Sequence, residues 1–133
     1  MSNIFIKRIY DPYEENDGYR ILVDRLWPRG ISKEKAKLYC WAKDLAPSNE
    51  LRKKYAHNKE HFDEFRERYL EELRTSDLIK NEVKQIIKLN LDHNITLLYA
   101  AKNNFYNNAI VLRDEILLNK NAENDQTIND KSK

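Results

Sequence analysis

The run Ile95-Thr96-Leu97-Leu98-Tyr99-Ala100-Ala101 limits the choice of fold more than any other part of this chain. It carries no charge and is dominated by apolar side chains, so neither of its faces suits water. A strand of that kind lies centrally in a sheet, covered on both sides. A second run, Tyr19-Arg20-Ile21-Leu22-Val23-Asp24, is nearly as apolar and predicts another covered strand. Ile4-Phe5-Ile6-Lys7-Arg8-Ile9 predicts a first strand, and Leu38 to Ala42 predicts a short third strand or extended segment.

The intervening segments read as helices. Ser32 can cap a short helix over Lys33 to Lys37, and Ser48 another that reaches about Ala56. Asn58 is the expected cap of the next, in which Phe62, Phe65, Tyr69, Leu70 and Leu73 recur on one face. Ser76 caps a helix with Leu78, Ile79, Val83, Ile86, Ile87 and Leu91 apolar, and Asn107 or Asn108 caps the last, through about Leu118. From Asn119 to Lys133, Asn, Lys, Asp and Gln dominate, which predicts a disordered tail after a domain over residues 1–118. Strands separated by helices predict a single-domain α/β sandwich, a small, mainly parallel sheet flanked by helices.

That fold class says where to look for a site. In open α/β sheets, ligands bind in the crevice beyond the carboxyl ends of the strands. Two loops leave such ends: Asp24-Arg25-Leu26-Trp27-Pro28-Arg29-Gly30 and Lys102-Asn103-Asn104-Phe105-Tyr106-Asn107. If their strands are parallel neighbours, the loops share one rim. The first is dense in chemistry. Arg25 and Arg29 lie close enough to converge on one carboxylate or phosphate. Trp27 offers a stacking face, and Asp24 would act as a general acid or base if burial raised its pKa. Pro28-Arg29-Gly30 suits positions i+1 to i+3 of a type I turn. Tyr99 and Lys102 would add a hydroxyl and a cation, and the last helix would present backbone N–H groups at Asn107 and Asn108. The architectural alternative has Asp24, Arg25 and Arg29 tied to partners elsewhere while Trp27 fills the core.

Composition narrows the partners. The 133 residues are 41% hydrophobic and 35% charged with a net charge of +2, so no global charge favours nucleic acid. From Arg20 to Lys43, however, seven basic residues face two acids, a segment that would also serve a nucleic-acid or protein partner. No apolar run approaches the roughly 20 residues of a membrane helix, and no secretory signal opens the chain. The single cysteine, Cys40, forms no internal disulfide and suits a reducing compartment, so a cytoplasmic location is expected. Its apolar and aromatic neighbours predict an inert buried thiol. His57 and His61, with Asp63 and Glu64, are a weak metal candidate, and His93 reads as part of a helix C-terminus. Two glycines exclude a Rossmann dinucleotide site, and no zinc spacing, phosphate loop or serine elbow is present, so no cofactor is named.

Asp17-Gly18-Tyr19-Arg20-Ile21-Leu22-Val23-Asp24-Arg25-Leu26-Trp27-Pro28-Arg29-Gly30 resembles the signature of the YeaO-like bacterial family, domain of unknown function 488. Trp41 to Ser48, Leu51 to Tyr55, Phe65 to Tyr69 and Thr96 to Lys102 are similar to further parts of it, so the likeness spans Ile4 to Leu118. The resemblance implies a small α/β bacterial protein and brings no settled activity. Where such sequences tend to place an acid after the last strand's lysine and a histidine before the final Asn-Ala, this chain has Asn103 and Asn107. The expectation is a small anionic ligand, a nucleotide or phosphorylated metabolite, at a rim formed by Asp24, Arg25, Trp27, Arg29, Tyr99, Lys102 and Asn108. Whether chemistry follows binding is left open, with Asp24 the candidate catalytic group.

Overall fold

A computed structural model describes residues 2–55 and 59–131, apart from the side chains of residues 59 and 124–131. Four strands form one sheet: β1 (Ile4–Arg8), β2 (Tyr19–Leu22), β3 (Cys40–Trp41) and β4 (Ile95–Tyr99), in the order β1-β4-β2-β3. All pairings are parallel. The helices are α1 (Lys33–Ala36), α2 (Asn49–Tyr55), α3 (Phe62–Thr75), α4 (Asp77–Asn90) and α5 (Asn108–Lys131). The fold is therefore α/β, as the alternation of apolar runs and helical periodicity predicts.

β4 is buried at all five positions because it lies between β1 and β2. The two faces of the sheet differ. Ile21, Val23, Ile95, Leu97 and Tyr99 pack on Leu51 of α2, Tyr69 and Leu73 of α3, Val83 and Ile87 of α4, and Leu112 and Ile116 of α5. Leu22 and Leu98, one residue out of phase, turn to a smaller cluster with Ile9, Ala36, Trp27 and Trp41. Further toward the strand starts, that second face is polar. Arg20, 2% exposed, donates to Asp17 Oδ2 at 2.5 Å and to the Ala36 carbonyl at 3.0 Å. Lys7 adds a contact to Asp17 at 3.1 Å. Burial alone would raise the Asp17 pKa, but the Glu14 N–H, Lys7 and Arg20 outweigh it and hold the carboxyl below its ordinary value.

Serine caps start three helices. Ser32 Oγ accepts from Lys35 N at 3.1 Å, Ser48 Oγ from Leu51 N at 3.1 Å, and Ser76 Oγ from Ile79 N at 3.4 Å. Asn58 and His57 lie outside the described residues. Three readings change. The helix expected to stop near Leu118 runs to Lys131. Its continuation has side-chain partners, because Asn119 donates to the Glu115 carbonyl at 2.8 Å and Lys120 reaches Asn90 Oδ1. Cys40 is exposed, not buried, because its apolar segment forms only a two-residue strand at the edge of the sheet. His93 contributes a backbone carbonyl to Asn90 Nδ2 at 3.0 Å, and its ring stands edge-on to Tyr19 with centroids 4.8 Å apart.

Candidate functional site

The parallel register brings Leu22 beside Leu98, so β2 and β4 end at the same rim. Val23 N still bonds Leu98 O at 3.0 Å, and the chains then part. Asp24 occupies the gap. Its Oδ2 accepts from Ala100 N at 2.9 Å, and its Oδ1 accepts from Asn108 Nδ2 at 3.2 Å. Burial raises its pKa, and the two hydrogen bonds only partly offset that.

Beyond Asp24 opens a cleft of about 810 Å³. Among its lining residues are four cations, Arg25, Arg29, Arg52 and Lys102, against one carboxylate, Asp24. Such an imbalance in a low-dielectric concavity concentrates anions. Arg29 and Lys102 are exposed, and neither side chain has an ion pair or hydrogen bond among the described residues.

Arg25 does not join Arg29 in a fork. Its guanidinium donates to the Pro47 carbonyl at 2.9 Å and the Ala46 carbonyl at 3.2 Å. That segment is in turn held by α3: Tyr69 OH donates to the Leu45 carbonyl, and Glu72 accepts from Ser48 N at 2.9 Å and Ser48 Oγ at 2.6 Å. Arg25 thus builds the wall between the rim and α2. Trp27 has a double role. Its Nε1 donates to the Ile31 carbonyl at 2.6 Å and its ring meets Trp41 edge-on, with centroids 5.3 Å apart, while it also faces the cleft. The turn sits one residue later than the spacing predicts. Ile31 N approaches Pro28 O at 3.5 Å, which puts Gly30 at position i+2 with φ 79°. A positive φ there is the type II arrangement, and the absence of Cβ is what lets the chain take it. Tyr10 OH fixes the turn by donating to the Arg29 carbonyl at 2.9 Å.

Lys102 and Asn108 also line the cleft, but Tyr99 does not. The Tyr99 ring is core, and its hydroxyl donates to Asn104 Oδ1 at 3.2 Å. Within the basic Arg20–Lys43 segment, Arg20 is buried against Asp17 and Arg25 is bound to carbonyls. Asn103 and Asn107 both border the cleft. Asn103 Oδ1 accepts from Phe105 N at 2.9 Å and Tyr106 N at 3.0 Å, shaping the loop, while Asn107 Oδ1 accepts from Ile110 N at 3.1 Å and caps α5. Among the described residues no three metal-ligating side chains gather, and His61 stands exposed 3.9 Å from Glu64.

Periodicity assigned Tyr55, Phe62 and Phe65 to the core and passed over Arg52. They form the far wall of the cleft. Tyr55 and Phe65 ring centroids are 6.0 Å apart, Phe65 and Phe62 5.7 Å, and Phe62 and Tyr106 5.2 Å, so the aromatic surface is continuous from α2 to the loop before α5. Two buried polar atoms in this wall, Arg52 Nε and Tyr55 OH, have no hydrogen-bond partner among the described residues. A buried donor left unpaired costs about 1–3 kcal/mol. For Arg52, Tyr55 and Phe65 the signal was the family likeness of Leu51 to Tyr55 and of Phe65 to Tyr69, which amphipathicity alone would not require; Phe62 lies outside both segments.

Fold and site together define a single-domain α/β protein with a ligand-sized, basic and aromatic cleft at the carboxyl ends of a parallel sheet. The chain belongs to the family described as the inactive DUF488-N3 subclade, whose model matches residues 3–133. It is 48% identical over 112 residues to "Uncharacterized protein YeaO" of Escherichia coli (strain K12), covering 84% of this chain and 95% of that protein. It is also 48% identical over 75 residues to "Uncharacterized protein Rv3073c" of Mycobacterium tuberculosis (strain ATCC 25618 / H37Rv), covering 56% of this chain and 64% of that one. No solved structure matches it. Among the described residues no helix is long and apolar enough to cross a membrane.

Proposed function

We propose that this is a cytoplasmic protein that binds a small anionic ligand, a nucleotide or phosphorylated metabolite, in the cleft beyond β2 and β4. The observation that carries this reading is the charge of the lining, four cations to one carboxylate, with Arg29 and Lys102 free of protein partners among the described residues. Those two are the exposed cations of the lining with donors to spare; the unpaired Nε of Arg52 is buried. Arg25 and Trp27 shape the cleft, and Asn108 holds its floor.

Binding without turnover is the favoured form of the reading. Both oxygens of Asp24 are engaged in tying the rim, which leaves it a positioning residue in place of an acid or base. Asn103 and Asn107 stand where the family resemblance implies an acid and a histidine, and an amide side chain does not titrate near neutrality. The word "inactive" in the description of the subclade agrees.

A thermal-shift series with orthophosphate, sugar phosphates, nucleoside monophosphates and small carboxylates tests the proposal. A ligand at a hundredfold excess over its Kd stabilises by about 2.7 kcal/mol. The reading is lost if no anion raises the melting temperature, or if Arg29→Ala leaves every shift unchanged. Binding to oligonucleotides with a steep linear dependence on log[salt], and none to mononucleotides, would favour a nucleic-acid partner instead.

A further inference from the structure

We infer that the anion held in this cleft carries a flat, acceptor-bearing heterocycle, which makes it a nucleotide and not a sugar phosphate or simple carboxylate. This rests on the anion-binding reading and divides the cleft into two parts. Arg29 and Lys102 are exposed cations of its lining. Another wall is aromatic, running through Tyr55, Phe65, Phe62 and Tyr106 with successive centroids 6.0, 5.7 and 5.2 Å apart. A phosphate alone has no use for such a wall. A ring with π faces does, because stacking is available to any base.

The polar atoms set into that wall narrow the class further. Tyr55 is only 8% exposed, and its hydroxyl has no partner among the described residues. Arg52 Nε, one helical turn earlier on α2, is buried and equally unpaired. Nε–H can only donate, while the tyrosine hydroxyl can donate or accept. Together they suit the edge of a heterocycle bearing at least one carbonyl oxygen or ring nitrogen. A sugar phosphate would bring hydroxyls to this place but no face for the four rings. The cleft volume of about 810 Å³ lies within the range of small-ligand pockets, roughly 300–1,000 Å³.

Calorimetric titration of the full chain with orthophosphate, ribose 5-phosphate, the four ribonucleoside monophosphates and their nucleosides tests this. At least one nucleoside monophosphate should bind about tenfold or more tightly than ribose 5-phosphate. Tyr55→Phe should remove most of that advantage while leaving ribose 5-phosphate binding unchanged; Phe62→Leu gives a second reading if the first variant does not fold. Nucleotides that all bind within about twofold of ribose 5-phosphate would overturn the ring and leave the anion site standing. Nucleosides that bind as well as their monophosphates would keep the ring and overturn the anion site. Absence of binding by every phosphate compound and nucleoside overturns both.

Discussion

Asn108 and Asp24 meet across the rim: the Asn108 amide donates to Asp24 Oδ1 at 3.2 Å and to the Val23 carbonyl at 2.9 Å. With Ala100 N on the other carboxylate oxygen, one side chain from the end of β2 joins β4 and the first residue of α5. Asp24→Ala leaves the part-buried Ala100 N–H without an acceptor and the Asn108 amide with only the Val23 carbonyl, and should destabilise the protein by about 1–3 kcal/mol. Asp24→Asn can still accept from Ala100 N but sets an amide against the amide of Asn108, so a smaller loss of about 1 kcal/mol is expected. Urea denaturation of the two variants measures both. Equal and negligible losses would show that the clasp does not hold the rim.

The two exposed cations, Arg29 and Lys102, should matter for ligand and little for the fold. Arg29→Ala and Lys102→Ala are exposed changes, so their unfolding free energies should stay within about 0.5 kcal/mol of the parent. Each should weaken the binding of an anionic ligand about tenfold, the lower range of charge-assisted hydrogen bonds. Arg25→Ala should instead lower stability, because its bonds to Ala46 and Pro47 hold the α2 wall in place.

Acid should weaken the link between α3 and α5. Arg74 grips Glu115 through two bonds of 2.8 and 2.7 Å, and these hold the Glu115 carboxyl below its ordinary value of 4.5. A depressed folded pKa means that the unfolded chain takes the proton first, so this stability is present above pH 4.5 and is lost as the pH falls through the folded value. Asp24 has the opposite sign, since burial raises it and the folded form is protonated first. Arg74 is half exposed, which limits the ion pair to about 1 kcal/mol. Glu115→Gln should be less stable than the parent by that amount at neutral pH, with the gap closing in acid. A gap independent of pH would refute the assignment.

The two glycines predict different penalties. A Cβ at Gly18 would land on the Asn94 carbonyl, which itself accepts from Tyr19 N at 2.9 Å at the start of β2. Gly18→Ala must therefore shift backbone and should cost more than about 3 kcal/mol. At Gly30 a Cβ meets nothing within 4 Å, and only the positive φ opposes it. Gly30→Ala should cost about 1–2 kcal/mol. Thermal unfolding of both variants separates contact from conformational strain.

Cys40 is open to reagents but should be slow. Partial desolvation and the nearby Glu82 carboxylate push its thiol up, so the thiolate is scarce at neutral pH. An aromatic disulfide reagent should titrate one thiol in the native protein more slowly than in urea. A rate faster than the unfolded chain would contradict the raised pKa.

Local chemistry was enough to settle several features before any contact was known. The uncharged run at Ile95 required a covered strand, the serines before each polar-apolar period marked helix starts, and the Asp24–Gly30 and Lys102–Asn107 loops followed from where the strands stop. These are properties of residues near one another in sequence, set by periodicity, capping and the ends of apolar runs. The parallel pairing of β2 with β4, which puts both loops on one rim, needed the sheet order. So did the outward placement of Cys40, because an apolar segment reads alike at the centre and at the edge of a sheet. Only tertiary packing turned Arg25 away from Arg29 and toward carbonyls supplied by Ala46 and Pro47. It also brought Arg52, Tyr55 and Phe62 to the opposite wall of the cleft. Helical spacing gives the apolar face of α2 and α3 but not what that face meets, and part of it meets an open cleft instead of the core. Sequence determined where the rim loop begins, at Asp24; the packing of α2 and α3 over the rim decided which side chains complete the cleft.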